Sequence, residues 1–199
     1  MKISKLGRPR SFDAGEALDR ALEVFWRSGY EGASLSDLTE AMGITRPSLY
    51  AAYGNKEELF RKALDRYALR SAAVFSALEE VPARESVRRF LTASVNGSCA
   101  NGQSKGCLLV KGALSCSQEN DHMSKELARR RQCGEDLLRD RLIRAKEEGE
   151  LPASADPADL ARYYSTVLYG LSVQAAGGAP VEDLLKVVDA AMRVWSSQA

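Results

Sequence analysis

Between residues 45 and 56 the sequence places Thr45, Arg46, Ser48, Tyr50, Tyr53 and Lys56 among small and apolar neighbours. Thr45 and Ser48 are compact hydroxyl donors and acceptors. Arg46 can bond guanine or a phosphate, and the two tyrosines supply long, fairly rigid hydroxyl tips. A helix that only fills a core would show Leu and Ala here, and a merely solvated one Glu and Lys. The mixture suits a surface that meets a polar, anionic partner. Upstream, Lys2, Lys5, Arg8 and Arg10 all precede the first acid, Asp13. That basic arm is a local signal, since 28 Lys+Arg stand against 27 Asp+Glu and the net charge is only +1. Local basic clusters are what contact phosphates.

The second chemical set is four cysteines, at 99, 107, 116 and 133. They form no C-x-x-C pair, and with a single histidine, His122, they offer no zinc spacing. Neither a metal nor a cofactor is expected. A thiol enzyme built on Cys107 would need a paired histidine or acid, which the sequence does not supply, so no enzyme is expected either. The composition, 45% hydrophobic and 28% charged, is that of an ordinary globular chain. No apolar run approaches the ~18 residues of a membrane span. The basic N-terminal stretch lacks a signal peptide's apolar segment, so the expectation is a cytoplasmic protein with reduced thiols.

The elements that must carry these residues read as helices throughout. Ala17, Leu18, Ala21, Leu22 and Phe25 recur at helical spacing over 14–29, where Gly29 stops the run. Ser34 caps a second helix with Asp37 in its first turn, ended by Gly43. Thr45 caps a third, with Pro47 tolerated in its first turn, ended by Gly54. Asn55 opens a longer fourth helix into the high seventies. Further helices are expected over 84–99, 118–148, 157–176 and 181–195, with a short buried one in "CLLVKGALSC". In the long 118–148 helix, Leu127, Leu137, Leu138, Leu142 and Ile143 read as the inner side. Period-2 alternation is missing over any useful length, which makes the fold class all-α. The two short helices joined by Gly43-Ile44 fit a helix-turn-helix, whose second helix enters the major groove with its leading residues on base edges. The fourth helix then aims its free N–H groups at a phosphate, with Lys56 beside them.

Phe25, Gly29 and Tyr30, then Ser34, Leu35, Leu38, Ala41, Gly43 and Ile44, then Leu49, Tyr50, Tyr53, Lys56 and Leu59 follow one pattern. It resembles the DNA-binding domain of the tetracycline-repressor (TetR/AcrR) family, over roughly residues 7–65. Tyr53 stands where Phe is usual. Two departures bear on affinity: Ala51 and Ala52 replace an aromatic and a histidine that often follow the Tyr50 position. More of the affinity then falls to Arg8 and Arg10. The resemblance implies a homodimeric repressor of double-stranded operator DNA, with residues 1–53 as reading domain and 54–199 as ligand-binding and dimerisation domain. Its DNA contacts would be Arg8, Arg10, Ser34, Thr45, Arg46, Ser48, Tyr50, Tyr53 and Lys56. The last two helices are broader in apolar coverage than a surface helix needs. They would pair with their mates through Leu168, Leu171, Leu185, Val188 and Met192.

The inducer site must be read from this chain alone. Phe75, Phe90, Leu114, Tyr163, Tyr164 and Val167 are pocket candidates, with plain core the first reading of each. "KGCLLVKGALSC" is similar to a segment of one branch of the same family, the repressors of N-ethylmaleimide reductase. These sense electrophiles and oxidants through the cysteine matching Cys107. Cys107 opens a predicted helix with Lys105 and Lys111 near, a setting that favours a reactive thiolate, and Cys99 is a candidate partner. Cys107 and Cys116 are nine residues apart, about 900° of turn, and face opposite sides of one helix. Two readings of the sensor stay open, a reversible small apolar or aromatic ligand and a thiol switch at Cys107. A helical ligand-binding module without DNA function is the remote alternative.

Overall fold

The computed structural model describes residues 12–79, 82–99, 105–113 and 118–196. Arg8, Arg10, Leu114 and Cys116 lie outside them. Among the described residues every regular element is a helix: α1 (Ala14–Gly32), α2 (Leu35–Met42), α3 (Arg46–Tyr53), α4 (Lys56–Ser76), α5 (Ala83–Ser98), α6 (Leu108–Ala113), α7 (Asp121–Glu147), α8 (Pro157–Ala176), α9 (Val181–Ala191) and α10 (Arg193–Ser196).

Side-chain caps hold the first four helices, those of α2, α3 and α4 as expected. Asp13, Thr45 and Asn55 each accept a hydrogen bond from the backbone N–H three residues on. Ser34 and Asp37 form a reciprocal capping box on α2. Helical geometry in α1 breaks at Gly29, as its position in the sequence suggested. The turn between α2 and α3 needs a left-handed residue, and Gly43 supplies it at φ 67°. The 181–195 helix is divided, with Met192 in the turn between α9 and α10.

Two cores result. The N-terminal one gathers Leu22, Phe25, Leu38, Leu49, Leu59, Phe60 and Leu64, with Phe25 and Phe60 edge to face at 4.8 Å. It therefore runs past residue 53 into the first half of α4, and it also takes in Leu108, Met123 and Leu127 from α6 and α7. The C-terminal core joins α5, the second half of α7, α8, α9 and α10 through residues such as Val87, Phe90, Leu138, Leu142, Tyr164, Leu184 and Trp195.

On α7 the expected inner side is half right. Leu127, Leu138 and Leu142 are buried, but Leu137 is 53% exposed and Ile143 40% exposed. Each sits one position, about 100° of turn, away from a buried leucine.

Candidate functional site

The leading turn of α3 is open. Thr45 and Arg46 are exposed, Ser48 is half-buried, and Tyr50 is 49% exposed on the same short helix. Thr45 and Ser48 are joined hydroxyl to hydroxyl at 2.9 Å, and Arg46 donates to Ser36 Oγ at 2.8 Å. Arg46 thus leans on α2, which fixes where its fork starts from. Ser34 is exposed, but its hydroxyl is engaged with Asp37, accepting from that backbone N–H and donating to that carboxylate. The bonds that the Asp37 carboxylate accepts from the Ser34 hydroxyl and the Ser34 backbone N–H hold it below its usual range.

Lys56, at the start of α4, lies with Nζ 4.7 Å from the centre of the Tyr30 ring and 3.5 Å from the Glu31 carbonyl. Partial burial there draws its ammonium below the ordinary lysine range, against the pull of the Glu31 charge. One expected contact is overturned. Tyr53 is only 4% exposed and its hydroxyl donates to the Ala14 carbonyl at 2.7 Å. The ring fills the N-terminal core and ties α3 to α1, so Tyr53 offers no free hydroxyl tip. The Phe usual at this position in the family was the sign that it faces inward.

The sensor candidates divide. Phe75, Phe90, Tyr163, Tyr164, Val167 and Cys99 all belong to the C-terminal core or pack against it, with Phe75 and Phe90 5.2 Å apart and Tyr163 and Tyr164 5.1 Å apart. The Tyr164 hydroxyl is buried and has no hydrogen-bond partner among the described residues, and burial drives its phenol well above the usual range.

Cys107 lies elsewhere, against the reading domain. Its thiol accepts from the Tyr67 hydroxyl at 3.3 Å, and its backbone N–H donates to Ser172 Oγ at 2.6 Å. Burial first, and the Cys107 sulfur second, push the Tyr67 phenol well above its usual value, so it stays a protonated donor. The lysines expected to serve Cys107 are committed to other groups. Lys105 pairs with Glu23, and Lys111 donates to the Arg27 carbonyl.

Four residues around Cys107 went unnoticed in the sequence: Trp26, Tyr67, Gly106 and Ser172. Trp26 carried one sign. It sits beside Phe25 but off the buried stripe of α1, and a large aromatic there needs a second packing surface. It finds one in Tyr67, edge to face at 5.0 Å, and its indole N–H donates to the Gly106 carbonyl at 3.1 Å.

The predicted dimer contacts divide as well. Leu171, Val188 and Met192 are buried inside the protomer, and Leu168 and Leu185 are half-buried against the same core. They are core residues because the bundle needs one face of α8 and α9 for itself. Val173 and Val187, each 48% exposed, occupy the outward faces instead. Among the described residues no His, Cys, Asp and Glu cluster could hold a metal, and no helix is long and apolar enough to cross a membrane.

A helix-turn-helix with an open, polar second helix, set on a separate helical bundle, is the build of a DNA-binding transcription regulator. Residues 17–63 match the bacterial regulatory proteins of the tetR family. The transcriptional repressor ComR of Escherichia coli is 34% identical over 95% of this chain and 91% of its own length. The regulator YezE of Bacillus subtilis is likewise 34% identical, over 95% of this chain and 99% of its own. Among solved structures, a cysteine-substituted variant of the TetR family regulator CifR complexed with 26-base-pair operator DNA is 45% identical. The match covers 95% of this chain and 100% of that one, with a TM-score of 0.91. The chain belongs to the tetR family of transcriptional regulators, which are not enzymes.

Proposed function

We propose that the protein is a homodimeric transcriptional repressor acting in the cytoplasm, which binds a palindromic operator through α3 and is released by a small molecule. The observation that carries this reading is the open leading turn of α3. There Thr45, Arg46 and Ser48 sit together with Tyr50 exposed behind them, and the capped start of α4 follows at once. Base readout falls to Arg46, Ser48 and Thr45. Phosphate contact falls to Tyr50, Lys56 and the arm with Arg8 and Arg10. Operator binding by CifR and repression by ComR support the same reading for this chain. Release is a population shift: the inducer stabilises a form whose two α3 helices no longer match successive major grooves, ~34 Å apart. The C-terminal core around Phe75, Phe90, Tyr163, Tyr164 and Val167 would take a small apolar or aromatic inducer.

A second reading, thiol sensing at Cys107, is favoured by one observation. The Cys107 sulfur is held by Tyr67 of α4 while its backbone is held by Ser172 of α8, so a change at that thiol touches both domains. Cys99 stays the candidate partner, since its neighbour Ser98 accepts from the Lys105 N–H at 3.0 Å.

Titrating a duplex from the DNA upstream of the chain's own gene tests both readings. Wild type should bind it and Cys107→Ser should bind equally. If hydrogen peroxide or N-ethylmaleimide releases wild type but not Cys107→Ser, the thiol reading holds. Equal responses of the two proteins would sink that reading and leave the reversible ligand. Failure of wild type to bind any upstream duplex would sink the repressor reading itself.

A further inference from the structure

Three consecutive residues, Lys105, Gly106 and Cys107, follow no helical path yet are bonded to four helices. Lys105 N–H donates to Ser98 at the end of α5, and its ammonium pairs with Glu23 of α1 while lying 5.5 Å from the centre of the Trp26 ring. The Gly106 carbonyl accepts from the Trp26 indole, and Cys107 is held by Tyr67 of α4 and Ser172 of α8. The fit against α8 is close. Gly106 has φ 65°, and a Cβ added there would stand 2.7 Å from the Ser172 carbonyl oxygen and 3.0 Å from Ala176 Cβ. Helices α1 and α4 build the reading domain, whereas α8 belongs to the bundle.

We propose that this strap is the tie that sets the angle of the reading domain on α8, with Trp26 as the positioning residue through which it acts. The proposal rests on the repressor reading above and adds its internal linkage. The Trp26 N–H bond is the point where the strap grips α1 by a directional contact, whereas the apolar contacts around it tolerate sliding. The conformation described resembles that of a relative bound to operator. On the proposal this is the arrangement that fits operator, and displacing the strap from α8 should turn α1 out of it. Neither Trp26 nor Gly106 lies on the α3 face, so an effect of either on DNA binding must travel through the structure.

The test is a double-mutant cycle on operator affinity, using the full chain and a duplex selected from a randomised pool by the wild type. Gly106→Ala pushes the strap off α8, and Trp26→Phe keeps an aromatic against Tyr67 but removes the N–H. Each should weaken operator binding, Gly106→Ala by roughly tenfold, within the range usual for coupled sites. The double variant should be no weaker than the weaker single, because both break one linkage. Thermal unfolding and light scattering on the same samples show whether fold and dimer survive. Where Gly106→Ala does not fold, Ser172→Ala takes its place in the cycle, since it removes the acceptor for the Cys107 N–H without adding volume. Losses that multiply would overturn the proposal, as would unchanged affinity in the strap variant. If the wild type selects no duplex, the repressor reading has failed, which is a separate result.

Discussion

Arg46 and Lys56 are both cations near α3, but their surroundings give them different work. Arg46 is exposed on the leading turn with its guanidinium resting on Ser36, free to swing to a base edge in exchange for one hydrogen bond. Lys56 holds its ammonium over the Tyr30 ring, so it acts as a placed point charge near the start of α4. Arg46→Ala should cost ~1–3 kcal/mol mainly at one base pair per half-site. Lys56→Ala should weaken all operator variants alike and flatten the salt dependence of binding by about 1 in log–log slope. A set of operator variants titrated at several salt concentrations separates the two. A uniform loss for Arg46→Ala would reassign it to phosphate, and an unchanged slope for Lys56→Ala would remove it from the contacts. At this scale the sequence was a good guide to residue type and a poor one to direction. Tyr53 and Tyr50 are three apart on one short helix, yet one fills the core and the other is open. Apart from the Phe usual at the Tyr53 position, what marks the inward one is a partner distant in sequence, the Ala14 carbonyl.

Helix boundaries were largely legible, because they rest on local chemistry: Asp13, Ser34, Thr45 and Asn55 cap, and Gly43 and Gly54 stop. What periodicity could not say is which element each apolar face meets. The joining of Leu108, Met123 and Leu127 to the reading domain's core is a contact between distant segments and leaves no local mark. The run Arg129–Arg131 reads as a solvated face, but Arg130 pairs with Asp65 of α4 and with Glu126, and Arg131 donates to the Leu109 carbonyl. Glu126 is the hub of this seam. Its side chain is 10% exposed, and it takes Arg129, Arg130 and, at 3.7 Å, Arg61 of α4. The bonds from Arg129 and Arg130 lower its carboxyl to about 2 against the cost of burial. A depressed acid stabilises the fold above its unfolded value, near 4.3, and that contribution is lost as pH falls toward 2. Glu126→Gln should therefore cost on the order of 1–3 kcal/mol at pH 7. The gap to wild type should shrink from about pH 5 downward, read from urea unfolding at several pH values. A gap that stays constant with pH would show that Glu126 acts by shape and not by charge.

At the scale of the whole molecule, the proposed homodimer needs two reading helices at a set separation, so the interface it would form between copies matters as much as α3. The breadth of the apolar faces on α8 and α9 suggested a partner, but Leu171, Val188 and Met192, three of the five residues chosen from sequence, are ones the bundle keeps for itself. A broad stripe contains an inner and an outer half, and spacing alone does not divide them. Leu171 is 4% exposed and Val188 1%, whereas Val173 and Val187, two and one positions away, are each 48% exposed. Among the described residues nothing lies within 4 Å of a Cβ added at Gly170 of α8, which leaves room for close approach by a second backbone. On the proposed dimer, Val173→Glu and Val187→Glu would each place a charge in the apolar contact between copies, with no partner to meet it. The expected cost exceeds ~3 kcal/mol per buried charge, and twofold symmetry presents each charge twice. Both variants should run as folded monomers in light scattering with unchanged helical circular dichroism, and operator affinity should fall steeply because half-site spacing is lost. Leu171→Glu should behave differently and unfold the protomer, since its side chain sits in the C-terminal core. If Val173→Glu and Val187→Glu both remain dimeric, the copies meet through another face, and the spacing of the two α3 helices must be set from there.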